Sequence, residues 1–217
     1  MRVDLLVPVK PLAMAKTRLR GAADGGPEAH ARLVLALARD TLAAVAGAAV
    51  VRRAVAICSD ERVRATLEGD GVRVIPDEPA AGLNPALRYG EAVLRAADPT
   101  TTVGVLQADL PALRSWELER AVRHALATGG RAFCADRTGT GTTLLLAPPG
   151  HLLEPRFGVG SAAAHRATGA QELSGRWPGL RCDVDTAADL AAARGLGLGR
   201  FTRAALPRTE RADFTRG

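Results

Sequence analysis

The apolar positions of the chain change period along its length, and the changes mark out alternating strands and helices. An apolar run broken by Asp4 and Pro8, Val3–Val9, predicts a first strand. After a Gly-rich turn at Ala22–Pro27, Leu33, Leu37, Leu42 and Val45 recur at roughly helical spacing between Glu28 and about Ala46. A second strand follows at about Ala54–Cys58, and Ser59-Asp60 suits the N-cap of a helix reaching about Glu68. Val72–Ile75 reads as a third strand. Asn84-Pro85, a capping residue before a proline at the first helical position, opens a helix to about Ala97. Val103–Leu106 is a short buried strand, followed by a helix at about Ser115–Thr128 and a strand at Arg131–Ala135. A turn rich in Gly and Thr, Asp136–Thr143, feeds an apolar strand, Leu144–Ala147. A second Gly-containing loop, Arg156–Ser161, precedes a short helix to about Thr168. Leu180–Val184 reads as the last strand, and Thr186, with Asp189 three residues on, caps the final helix. The alternation predicts an α/β fold, a mostly parallel sheet flanked by helices, in one domain over residues 1–198. Residues 199–217 carry five Arg and little periodicity, and read as a basic, poorly ordered tail.

Composition narrows the partners. The 217 residues are 47% hydrophobic but only 3% aromatic, so Ala, Leu and Val must fill the core. A net charge of +6 favours an anionic partner. The scarcity of aromatic platforms argues against single-stranded nucleic acid, and no Lys/Arg block resembles a recognition helix. Small phosphorylated substrates are the better fit. Cys58, Cys134 and Cys182 have neither zinc nor disulfide spacing and read as small buried thiols. No signal-peptide pattern and no membrane-length apolar run occurs, which points to the cytosol with no membrane partner. An apolar edge strand could pair two copies into a homodimer.

The candidate chemistry lies at strand ends. Of 29 Lys and Arg, only Lys10 and Lys16 are lysine, and both lie with Arg18 in the loop after the first strand. A strand, a cationic loop and a helix together can hold a polyphosphate; the plain alternative is a solvated loop. Ligands of such sheets bind beyond the carboxyl ends of the strands. Asp109 stands there, placed to hold a divalent cation or to cap the turn before Leu110-Pro111. Asp183 and Asp185 share a face if Leu180–Val184 is a strand, and two carboxylates so placed repel unless a cation lies near. Gly158 and Gly160 let backbone N–H groups approach an anion, with Ser161 at a helix start.

Five stretches occur in order: PVKPLAMAKTRL at 8–19, LQADLPAL at 106–113, DRTGTGTTLLL at 136–146, FGVGSAAAH at 157–165 and LRCDVDTAADL at 180–190. Together they resemble the 2-phospho-L-lactate/phosphoenolpyruvate guanylyltransferases, which act in biosynthesis of the deazaflavin coenzyme called F-four-twenty. The resemblance runs from about residue 3 to 194. It implies a Rossmann-like GT-A nucleotidyltransferase fold, GTP as donor, Mg²⁺ as cofactor and a phosphorylated three-carbon acid as acceptor. It also implies a product passed to a deazaflavin transferase. By this resemblance Pro8, Lys10, Lys16 and Arg18 hold the nucleotide and its triphosphate, and Asn84 reads base or ribose. Asp109 and Asp185 carry Mg²⁺, with Asp183 as substitute or helper. Thr143, Gly158 and Ser161 grip the acceptor, and Lys16, Arg18 and Asp109 are the catalytic set. The chain departs from the wider superfamily in having Pro-Val-Lys-Pro-Leu-Ala-Met where a G-x-R loop is usual, and Val159 stands where a Pro is expected. The residues leave the acceptor open among phosphoenolpyruvate, 2-phospho-L-lactate and 3-phosphoglycerate. Competing readings are a nucleotidyltransferase for a sugar phosphate or molybdopterin, and a nucleotide-binding protein without turnover.

Overall fold

A computed structural model describes residues 2–12, 16–19 and 26–207. Seven strands, β1 Val3–Pro8, β2 Val51–Ile57, β3 Arg73–Ile75, β4 Thr102–Leu106, β5 Ala132–Ala135, β6 Thr142–Ala147 and β7 Gln171–Glu172, form one sheet. Their order is β3-β2-β1-β4-β6-β5-β7. The first four run parallel, β6 runs antiparallel between β4 and β5, and β7 is parallel to β5. The helices are α1 Gly26–Ala46, α2 Glu61–Gly69, α3 Leu83–Ala97, α4 Ser115–Ala127, α5 Ser161–Ala167, α6 Pro178–Arg181, α7 Ala187–Leu196 and α8 Arg200–Ala205. The mostly parallel α/β sheet flanked by helices is thus as the periodicity led one to expect. Among the described residues, no helix is long and apolar enough to cross a membrane.

Strand alternation divides the core. Val3, Leu5 and Val7 of β1 face α1, α2 and α4, while Leu6 joins Val55, Ile57 and Val105 under α3 and α5. Helix α1 is apolar on two sides. Its Val34, Ala38 and Leu42 press on the sheet, and Leu33 and Leu37 form a third cluster with Leu190 and Ala193 of α7. Cys58, Cys134 and Cys182 are buried free thiols, and burial pushes the Cys134 thiol up to about 11.

Three expectations need correction. Residues 180–184 do not form a strand: α6 covers Pro178–Arg181, and the edge beside β5 is taken by β7. Arg181 donates to the Ala135 carbonyl (2.9 Å) and the Leu173 carbonyl (2.8 Å), while Gly179 N–H donates to buried Glu117 (2.9 Å). The segment is therefore strapped across the end of the sheet rather than added to it. Next, the supposed tail begins with a fold role. Asp40 of α1, buried, accepts Phe201 N–H (3.0 Å) and Thr202 N–H (2.7 Å) and so caps α8 against the body of the domain. Finally, α3 starts after Gly82, so Asn84 lies in its first turn and does not cap it. Residues 208–217, and the part of the Gly-rich turn at 22–25, lie outside the described residues.

Candidate active site

The chain leaves β1 at Pro8, passes exposed Lys10, and returns at Lys16 into a single 3-10 turn, Thr17–Leu19. Lys16 has φ +54°, and its ammonium donates to Asp109 and, at 2.5 Å, to Asp185. Arg18 is exposed in the same turn. Asp109 is held from behind. The Thr41 hydroxyl of α1 accepts Leu110 N–H (2.9 Å) and lies 3.0 Å from the Ala108 carbonyl. On the other side, Val184 N–H donates to the Asp109 carbonyl (3.0 Å), which brings residues 183–185 beside the end of β4. The expected cluster of Lys16, Asp109, Asp183 and Asp185 therefore assembles, although no strand carries the last two.

The electrostatics are unusual for a surface cleft. Burial works against the Lys16 charge, but Asp109 and Asp185 outweigh it and hold the ammonium protonated well above the ordinary lysine range. Burial, then the charges of Asp109, Asp136 and Asp185, pushes Asp183 up to about 7 against the pull of Lys16. Asp109 Oδ1 is buried without a hydrogen-bond partner. A surplus of carboxylate and an unpaired buried oxygen fit a divalent cation. Among the described residues no three or more His, Cys, Asp or Glu side chains converge as a preformed metal cage. Magnesium does not require one, since one or two carboxylates with substrate phosphates and waters suffice.

The second half of the site is the turn and loop beyond β5 and β6. Asp136 accepts Thr140 N–H (2.9 Å) and the Thr138 hydroxyl (3.0 Å), closing the hairpin turn, and Arg137 pairs with Asp189 of α7 (2.9 Å). Pairing shifts from Cys134↔Leu144 to Ala135↔Thr142, so Thr143 is the extra residue of a β-bulge. Its side chain is fully buried, with the hydroxyl 3.4 Å from the Cys134 carbonyl, and its own carbonyl accepts Gln107 N–H (2.9 Å). Gly158 (φ +141°) and Gly160 (φ +70°) flank a fully exposed Val159 and lead into buried Ser161. Ala162 N–H donates to the Thr140 carbonyl (3.1 Å), which ties this loop to the hairpin turn. Asn84 is committed to the same loop: its side chain donates to the Phe157 carbonyl (3.0 Å) and accepts Phe157 N–H (2.8 Å). The structure thus brings Asn84, Gly158 and Ser161 together. Sequence reasoning missed Thr41 and Asp136; a buried Thr in an apolar helix face was the one signal available for the first.

A model of the MobA-like NTP transferase domain matches residues 30–175. The chain is 51% identical over 200 residues to a phosphoenolpyruvate guanylyltransferase of Salinispora arenicola, covering 91% of this chain and 90% of that one. It is 48% identical over 213 residues to the enzyme of the same name from Streptomyces scabiei, covering 96% and 97%. A solved nucleotidyl transferase from Methanothermobacter superposes with a TM-score of 0.60 at 17% identity, over 94% of this chain and 99% of that one. That likeness establishes the GT-A-like nucleotidyltransferase fold.

Proposed function

The chain belongs to the phosphoenolpyruvate guanylyltransferase family of MobA-like nucleotidyltransferases, and on that premise we propose that it transfers GMP from GTP to the phosphate of phosphoenolpyruvate. The observation that supports the reading is the meeting of Lys16 with Asp109 and Asp185 at the carboxyl end of β4. That edge is where such sheets bind nucleotides. A phosphate oxygen of the acceptor attacks the α-phosphorus of GTP in line. A P–O bond forms there as the bond to the bridging oxygen of the leaving pyrophosphate breaks. The attacking phosphate is already anionic, so no general base is needed and the residues act by alignment and charge.

Lys10, Lys16 and Arg18, following Pro8, are the cations for the triphosphate, and Lys16 with Arg18 offsets charge on the pyrophosphate as it leaves. Asp109 and Asp185 would hold Mg²⁺, with Asp183 as substitute or helper. When bound, the ion screens the repulsion between the two anionic substrates. Lys16 is the counter-ion of that carboxylate pair, and its ammonium would turn to the triphosphate where Asp109 and Asp185 held a cation instead. Thr143, Ser161 and the backbone at Gly158 are the groups for the acceptor. Asn84 serves this loop rather than the base. The diester product, a guanosine diphosphate of a three-carbon acid, is activated for a downstream transfer to a deazaflavin alcohol. The setting is cytoplasmic.

Pyrophosphate release with a panel of donors and acceptors tests the reading. GTP with phosphoenolpyruvate is expected to give turnover, and ATP or CTP little. Faster turnover with 2-phospho-L-lactate or 3-phosphoglycerate would change the acceptor, and a sugar phosphate as the only active acceptor would overturn the assignment.

A further inference from the structure

Two side chains of the site region have no part in the chemistry above, yet both spend their polar atoms on the same short stretch of backbone. Asn84 uses both edges of its carboxamide on Phe157, accepting its N–H at 2.8 Å and donating to its carbonyl at 3.0 Å. His165, on α5 and fully buried, accepts the preceding amide, Arg156 N–H, at its Nε2 (2.9 Å). Its Nδ1 must then carry the ring proton, which faces the Thr142 hydroxyl at 2.9 Å. The Phe157 ring stands edge-on to the imidazole with centroids 5.0 Å apart. Residues 148–160 contribute no strand or helix to the fold, so these amides have no ladder to join.

Burying an imidazole, and half-burying a carboxamide, is costly unless each is bonded, and an apolar pair would fill the space at less risk. What the polar pair adds is direction: two consecutive amides and one carbonyl are fixed from α3 and α5. The next residues are Gly158 to Ser161. Resting on the acceptor reading of that loop, we propose that Asn84 and His165 are positioning residues: they clamp the Arg156–Phe157 backbone so that Gly158 and Ser161 are held ready for the acceptor's anionic groups. A loop already in its bound shape spares the acceptor the entropy of ordering it, so the benefit falls on acceptor binding and not on GTP.

The test compares the full-length wild-type chain with Asn84→Ala, His165→Ala and His165→Gln. The glutamine can still accept Arg156 N–H but cannot reproduce the Thr142 contact. Hydrogen exchange of the Arg156 and Phe157 amides reads the clamp directly, and KM for each substrate reads its use. In both alanine variants the two amides are expected to exchange faster, with the amides of β1 and β4 unchanged. The acceptor KM should rise about tenfold or more while the GTP KM stays within about twofold. His165→Gln should recover much of the acceptor KM. A residue that merely stabilises the fold would lower the active fraction, or move both KM values together, and either result overturns the proposal. So does unchanged exchange at Arg156 and Phe157. Wild-type turnover with an unaltered acceptor KM in both alanine variants removes this inference alone. No wild-type turnover with any acceptor removes the functional reading and this inference with it.

Discussion

Substituting His165 by Gln should change how stability depends on pH, by an amount set by where the imidazole sits. In the folded chain its Nε2 already accepts Arg156 N–H, so a second ring proton would have to point at another donor. Burial first, then the Arg131 and Arg156 guanidiniums, lowers its pKa from the ordinary 6.5 to about 4. As pH falls, the unfolded chain therefore takes up this proton before the folded one. The contribution is complete above about pH 6.5, is lost progressively down to about pH 4, and is steady below that. At about 1.4 kcal/mol for each pH unit between the two values, the full loss is about 3.5 kcal/mol, of which about 2 kcal/mol has gone by about pH 5. Urea unfolding of wild type and His165→Gln at a series of pH values would measure it. The wild-type advantage at about pH 7.5 should shrink by about 2 kcal/mol at about pH 5. NMR should show one of the four histidines still neutral there. A constant difference between the two proteins, or a His165 titration near its ordinary value, would refute the buried, singly protonated clamp.

Lys16→Ala and Asp109→Asn should each lose turnover, on the order of 10³-fold for the cation by analogy with arginine fingers, with the melting temperature nearly kept; near-wild-type turnover would remove either residue from the catalytic set. Asp4, buried at the far end of β1, resists ionisation through burial, but hydrogen bonds from Arg52, Arg53 and Thr101 win and lower its pKa to about 2. Asp4→Asn should therefore cost about 2 kcal/mol at neutral pH, a difference that fades as pH falls below about 4 toward about 2, and urea unfolding should show it with KM unchanged. Asp40→Ala removes the two caps of α8 and should cost about 1–2 kcal/mol, read as a lower urea midpoint with kcat kept; an unchanged midpoint would show that α8 carries no stability.

The alternating elements and the acidic-cationic cluster were legible because both follow from local pattern. Apolar runs set the strands, and chemistry-bearing residues at strand ends are gathered by topology alone. Leu180, Cys182 and Val184 misled because a helical turn and the irregular segment after it bury alternate residues just as a strand does. What distinguishes the two is that β7 already occupies the edge. Asn84 followed by Pro85 is a sound capping signal locally, yet its carboxamide is claimed by a residue 73 positions away. The α8 cap depends likewise on Asp40, 161 positions before Phe201. The bulge at Thr143 leaves no mark in the apolar pattern of β6 and is seen only in the pairing. Long-range polar partners of this kind are what a single sequence does not display.

The most direct test of the central claim is phosphorus NMR of the purified chain with Mg²⁺, GTP and phosphoenolpyruvate. The GTP resonances should give way to those of a guanosine diphosphate diester and pyrophosphate in equal amount, and only when phosphoenolpyruvate is present. GTP left intact, or hydrolysed to GDP and phosphate with phosphoenolpyruvate unchanged, would contradict it.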